Sequence, residues 1–131
     1  MRRLALLAVP LLLGLAACQT PSGGQPQEPI RVVFFNEDSA AMDDSGLAVV
    51  ADAAALAKAN PNAPVRVLGF AGPAGSRGFN QALSDARARH VADTLVEQGI
   101  PVGRIQLSPR GPVPFEMIPI ESRRVEIRIG A

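Results

Sequence analysis

The pattern of apolar and polar positions divides the chain into four short apolar runs and two helical segments. Residues 30–35, 65–70, 104–108 and 123–129 are rich in β-branched or other apolar side chains, as expected of strands. Residues 45–59 and 80–98 carry apolar side chains near helical spacing, and Gly99 stands where a helix C-cap is expected. The predicted order along the chain is therefore β-α-β-α-β-β.

This order predicts an α+β fold, a sandwich in which two helices cover one face of a four-stranded mixed sheet. In the last predicted strand Val125, Ile127 and Ile129 alternate with Glu126 and Arg128, which indicates a sheet whose second face is wet. In the first predicted helix the apolar positions near helical spacing are Leu47, Val50, Ala51, Ala54 and Leu56. A chain of 131 residues has room for one such domain.

The first residues have the pattern of a secretory signal peptide. Basic residues open the chain, residues 4–17 are almost wholly apolar, and small residues precede Cys18. This apolar run of 14 residues is short for a transmembrane helix and contains Pro10. We therefore predict a signal peptide over residues 1–17.

Residues 15–18 (LAAC) resemble the bacterial lipobox, which implies that Cys18 carries lipid; an ordinary signal-peptidase site with a stray cysteine is the alternative. Gln19, rather than Asp, follows, and by resemblance to lipoprotein sorting this implies an outer-membrane anchor on the periplasmic face. Residues 18–29 then form a lipidated N-terminus and flexible linker, and residues 30–131 form the domain.

Composition excludes several classes of function. Removing Arg2 and Arg3 with the signal leaves 11 basic against 12 acidic residues, a net charge of −1, and no basic stripe with aromatic residues favours nucleic acid. One cysteine and one histidine, His90, provide neither a metal-ligand cluster nor a hydrolase triad. We expect no enzyme activity, no metal and no cofactor.

Four segments carry a family resemblance. They are residues 35–42 (FNEDSAAM), 69–76 (GFAGPAGS), 79–88 (FNQALSDARA) and 123–127 (RRVEI). Together they resemble the OmpA-like C-terminal domain, over the chain from about Val32 to its end. That family has the same element order and binds peptidoglycan without a covalent bond, through the diaminopimelate of the peptide stem.

The resemblance also implies a site, and here the sequence departs from the family pattern. The arginine of the Leu-Ser-x-x-Arg-Ala motif, which takes a ligand carboxylate, is Arg87. The family's Gly-His-Thr-Asp motif, whose Asp takes the ligand ammonium, is replaced by Phe70, Ala71 and Gly72 after Gly69. Half of the charge pair is missing, so the diaminopimelate site is degenerate.

The residues themselves leave the role of Arg87 open. Arg87 lies in a stripe with Leu83, Val91 and Leu95, which suits either a carboxylate contact or a core-edge arginine with a solvated head. The Gly-rich loop before the helix offers backbone N–H groups to an anion, although such loops more often serve geometry alone. Asp38 is a candidate for the missing acid, or a residue that only shapes a turn. The predicted ligand-binding residues are Arg87, Asn80, Gly72, Ala71 and Asp38.

These expectations amount to a non-catalytic outer-membrane lipoprotein that associates weakly with peptidoglycan stems and links membrane to wall. The alternative is a scaffold that binds an envelope protein and has lost wall binding. Two features suit the alternative: an exposed Phe70 beside small residues, and the segment 111–121, which is rich in Pro, Phe, Met and Ile.

Overall fold

The computed structural model describes residues 29–113 and 119–130. The predicted signal peptide, the lipidation site at Cys18 and the linker up to residue 28 lie outside these residues, and they stay predictions. Part of the segment 111–121 also lies outside them. None of the helices in the described ranges has the length and apolar content needed to cross a bilayer.

The predicted order of elements is confirmed. The four strands are β1 (Arg31–Phe34), β2 (Val65–Ala71), β3 (Ile105–Pro112) and β4 (Arg124–Ile129). The helices are α1 (Asp44–Ala59), α2 (Arg77–Glu97) and a single turn, α3 (Pro119–Ser122); a 3-10 turn at Val102–Arg104 precedes β3.

The strands form one mixed four-stranded sheet, as predicted, and the structure gives their order as β1-β4-β2-β3. β4 pairs antiparallel with both β1 and β2, whereas β2 and β3 are parallel. Parallel neighbours need a long crossover, and α2 provides it. Because of these directions, the ends of β1 and β2 and the start of β4 meet at one edge of the sheet.

One hydrophobic core lies between the sheet and the two long helices. Alternate strand residues, such as Val67 and Ile127, meet apolar side chains of α1 and α2 there. The buried residues of α1 are Gly46, Val50, Ala53, Ala54 and Ala57. The predicted face of α1 was therefore partly wrong, since Leu47 is 42% exposed; the small residues allow the helix to pack closely instead.

α2 begins three residues before its predicted start. The Ser76 side chain accepts a hydrogen bond from the N–H of Phe79 at 3.1 Å and caps the helix within the Gly-rich segment. The other end is as predicted: Gly99 has a φ of +100°, its N–H donates to the carbonyl of Val96, and Ile100 N–H donates to the carbonyl of Leu95. These bonds form the Schellman arrangement that ends many helices.

The face of the sheet opposite the helices is less wet than predicted at Glu126, which is 8% exposed. Its carboxylate accepts hydrogen bonds from Arg124 and Arg128, with the closest contact at 2.6 Å from Arg128. Burial raises the pKa of Glu126, but the hydrogen bonds and charges of the two arginines outweigh it, so the pKa lies below its ordinary value. The alternation of β4 was read correctly, but it did not reveal this ion-pair cluster.

Candidate functional site

A small cleft lies at the sheet edge where β1, β2 and β4 meet. Its volume is about 40 Å³, and a single water needs about 10–15 Å³ on this measure. The cleft is therefore large enough for a few water molecules or for a small polar group. Its lining residues are Glu37, Asp38, Gly72, Ala74, Asn80, Leu83, Arg87 and Arg123.

Arg87 forms the floor of this cleft. It is 0% exposed, and its Nε, Nη1 and Nη2 donate to the carbonyls of Ser39 (2.8 Å), Phe70 (3.1 Å) and Asn36 (3.0 Å). The guanidinium carbon also lies 5.3 Å from the ring centroid of Phe35. One side chain on α2 therefore holds the turn after β1 and the end of β2 together.

The electrostatics of Arg87 reflect this position. Burial and the charge of Arg123 lower its pKa from 12.5 to about 10, while the negative charge of Asp38 acts in the opposite direction. Arg87 is therefore still cationic at neutral pH. Because the side chain is buried, water screens its positive charge less than it screens that of a surface arginine.

Arg123, the residue before β4, lines the cleft and was not among the predicted site residues. Its Nε donates to the carbonyl of Phe35 at 3.1 Å, and the N–H of Phe35 donates back to the Arg123 carbonyl at 2.9 Å. The RRVEI segment contained the signal, because antiparallel pairing of β1 and β4 places Arg123 opposite Phe35. That pairing was not predictable from the strand patterns alone.

The loop after β2 contributes the opposite wall. Asn80 is 4% exposed, and its Nδ2 donates to the carbonyl of Ala74 at 2.7 Å, which ties the loop to the first turn of α2. Gly72 lines the cleft beside it. Ala71, by contrast, is fully buried within β2, is paired with Pro112, and does not line the cleft.

A glycine in β2 sets the distance between this wall and α2. A Cβ built on Gly69 would lie 2.2 Å from the backbone oxygen of Ser84 and 2.9 Å from the Cβ of Ala88. Any side chain at this position would push α2, and with it Arg87, away from the sheet. Gly69 therefore allows α2 to pack closely against β2, a role that its place in the Gly-rich segment did not predict.

Glu37 and Asp38 bring two carboxylates to the cleft from the turn after β1. Asp38 has a φ of +50°, a left-handed conformation that Asp tolerates better than most residues. Asp38 therefore shapes a turn and also lines the cleft, so its position is compatible with each of its two predicted roles, turn residue and ligand acid. Of the five predicted ligand-binding residues, the structure brings together Arg87, Asn80, Gly72 and Asp38.

Phe70 and His90 lie outside the cleft lining. Phe70 is 9% exposed, with the guanidinium of Arg124 stacked 4.2 Å from its ring centroid on the face of the sheet away from the helices. The expectation of an exposed Phe70 is therefore wrong, because an arginine covers the ring.

His90 lies at the surface with Nδ1 2.7 Å from the carbonyl of Ala40. The described residues contain no group of three or more His, Cys, Asp or Glu placed to hold a metal ion.

The structure is thus a small α+β domain with a cleft of mixed charge at one sheet edge. The chain belongs to the OmpA family, which residues 34–114 match. The crystal structure of the peptidoglycan-associated lipoprotein from Burkholderia pseudomallei has the same fold, with a TM-score of 0.70 at 23% identity, covering 76% of this chain and 89% of that one.

Relatives by sequence include two lipoproteins. The probable lipoprotein YiaD of Escherichia coli (strain K12) is 31% identical over 103 residues, which cover 74% of this chain and 47% of that protein. The peptidoglycan-associated lipoprotein of Rhizobium meliloti (strain 1021) is 31% identical over 97 residues, covering 72% of this chain and 55% of that protein. The chain thus spans only about half the length of these relatives.

Proposed function

We propose that this chain is a non-catalytic outer-membrane lipoprotein whose OmpA domain associates weakly with the peptide stems of peptidoglycan. Lipid on Cys18 would hold the domain at the periplasmic face of the membrane, and the cleft would contact the wall. The protein would thereby help to link the outer membrane to the wall. Relatives named as peptidoglycan-associated lipoproteins support this role.

The observation that carries the proposal is the charged cleft itself. Arg87, the residue that the family resemblance assigns to a ligand carboxylate, lies at the floor of a cleft that also contains Asn80 and Gly72. The guanidinium groups of Arg87 and Arg123 suit an acidic ligand group, and the carboxylates beside them suit a cationic one. Weak binding is expected because Gly72 stands where the family has its ammonium-binding Asp.

The test is co-sedimentation with purified sacculi of diaminopimelate type, using the full-length lipoprotein in detergent. We expect the protein in the pellet and its release by free meso-diaminopimelate. A protein that stays wholly in the supernatant at every concentration would contradict the proposal. A lipoprotein of unrelated fold, solubilised in the same detergent, is the control for non-specific trapping of protein in the sacculus pellet.

The alternative, a scaffold that binds an envelope protein, loses one of its supports because Phe70 is covered by Arg124. Its other support, the segment 111–121, lies partly outside the described ranges. Substitution of Gly72 by Asp discriminates the two functions. A gain in affinity for diaminopimelate is expected if the cleft is a ligand site, and no gain is expected of a scaffold.

A further inference from the structure

The face of the sheet away from the helices carries an excess of positive charge. Val33, Val67 and Ile127 lie in the core, so the even-numbered residues of β1, β2 and β4 lie on this other face, which we call the outer face. The helices α1 and α2 together carry four basic and five acidic residues, a net charge of −1. The outer face instead has a net charge of +2, from three arginines and one glutamate: Arg66, Arg124, Arg128 and Glu126.

One of these arginines has no anionic partner. Arg124 and Arg128 share the carboxylate of Glu126. Arg66 stands directly opposite Arg128 in the antiparallel pairing of β2 and β4, and within residues 29–113 and 119–130 its side chain forms neither a hydrogen bond nor an ion pair. Like charges directly opposite across two strands destabilise a sheet. An external anion beside Arg66 and Arg128 would offset this repulsion.

Exposed apolar side chains lie beside this charge, along β1. Phe34 is 46% exposed on the outer face, opposite Arg124. Ile30, where the chain enters β1, is 48% exposed. A membrane surface with anionic lipids suits such a combination, because apolar side chains enter the headgroup region while guanidinium groups contact the phosphates.

The position of the tether favours a membrane as the partner. Eleven residues, 19–29, separate Cys18 from Ile30. A chain of that length spans at most about 40 Å when fully extended. Lipid on Cys18 would therefore keep the domain close to the bilayer, and the tether joins the domain at β1, an edge strand of the sheet.

We infer that the outer face of the sheet docks on the anionic lipid headgroups of the membrane that holds the anchor. This inference rests on the lipid anchor of the proposed function. Arg66 and Arg128 contact lipid phosphates, and Phe34 and Ile30 enter the headgroup region. The two long helices face away from the bilayer, because their net negative charge is repelled by the lipids.

The test measures which side of the domain approaches the bilayer, using the full-length lipoprotein reconstituted in vesicles. Cys18 is the only cysteine, so its acylation leaves no free thiol and a thiol-reactive dye labels only an introduced site. Ser108→Cys places the dye on the outer face, beside Leu68, and Ala55→Cys places it at an exposed position on α1. A trace lipid with a nitroxide on its headgroup quenches any dye that lies at the membrane surface.

In vesicles of phosphatidylcholine with phosphatidylglycerol, we expect the dye at Ser108 to be quenched more than the dye at Ala55. The difference should shrink in phosphatidylcholine alone and at high salt. Arg66→Gln should lower the ratio of docked to undocked protein about fivefold, and Phe34→Ser should lower it too. The matched controls Arg77→Gln and Phe79→Ser, at exposed positions on α2, should leave the ratio unchanged.

Equal quenching of the two dyes in anionic vesicles, or unchanged quenching in Arg66→Gln and Phe34→Ser, would overturn the inference. Energy transfer between two proteins labelled at Ser108 in phosphatidylcholine vesicles would also overturn it, by assigning the outer face to a second copy of the chain. Failure of the proposed anchor is seen separately, because the wild-type protein would then react with the dye at Cys18 and would not float with neutral vesicles.

Discussion

Replacing Arg87 with alanine is expected to damage the fold before it affects any ligand. The substitution removes the three hydrogen bonds that this buried, charged side chain donates. The carbonyls of Asn36, Ser39 and Phe70 then lose their Arg87 donor. Bonds of this kind contribute about 1.5–3 kcal/mol each, which gives about 5–9 kcal/mol for three.

The buried charge offsets part of this contribution. The pKa of Arg87 falls from 12.5 to about 10 in the folded protein. At about 1.4 kcal/mol per pKa unit, keeping the residue charged costs the folded state about 3 kcal/mol. The free energy of unfolding should therefore fall by about 2–6 kcal/mol, a large share of the roughly 5–15 kcal/mol typical of a whole domain.

Urea unfolding followed by circular dichroism measures this change. Arg89→Ala is the matched control, since Arg89 lies on the same helix, is 66% exposed and makes only a surface ion pair with Asp85. Such a pair contributes about 0.3–0.5 kcal/mol. If Arg87→Ala shifts the free energy of unfolding no more than Arg89→Ala does, the bonds to the three carbonyls do not hold the turn and the strand end as argued here.

Two further substitutions test the packing and the electrostatics of the sheet. Gly69→Ala should lower the free energy of unfolding by about 3 kcal/mol, because its Cβ would lie 2.2 Å from the Ser84 oxygen. Gly103→Ala, with nothing within 4 Å, should be near neutral, and equal effects in urea unfolding would refute the steric argument. Glu126→Gln should cost about 1–3 kcal/mol at pH 7. Since the folded pKa of Glu126 lies below its ordinary 4.5, this stabilisation is present above that value and is lost as the pH falls through the folded pKa. The difference between wild type and Glu126→Gln should therefore shrink as the pH falls below 4.5, whereas a difference that does not change with falling pH would contradict the ion-pair explanation. Glu97→Gln, at an exposed position, serves as control.

Comparison of the predicted and observed elements shows where local patterns suffice. The strand at Arg124–Ile129 and the stripe of Leu83, Arg87, Val91 and Leu95 were predicted because side-chain periodicity is a property of the element itself. The start of α2 was missed because Ser76, inside a Gly-rich segment, caps the helix. The buried face of α1 was missed in part because it consists mostly of Gly and Ala, which carry little hydrophobic signal.

The amino-acid sequence alone determined the element order, the α+β class and the presence of Arg87 on the inner stripe of α2, since all three follow from spacing along one chain segment. Only the tertiary structure decided that Arg87 is occupied by three carbonyls and that Arg123, Glu37 and Asp38 share its cleft. Those residues come from segments up to 86 positions apart, and they meet because β4 pairs antiparallel with both β1 and β2. Strand pairing depends on the packing of the whole sheet, so no local pattern contains it.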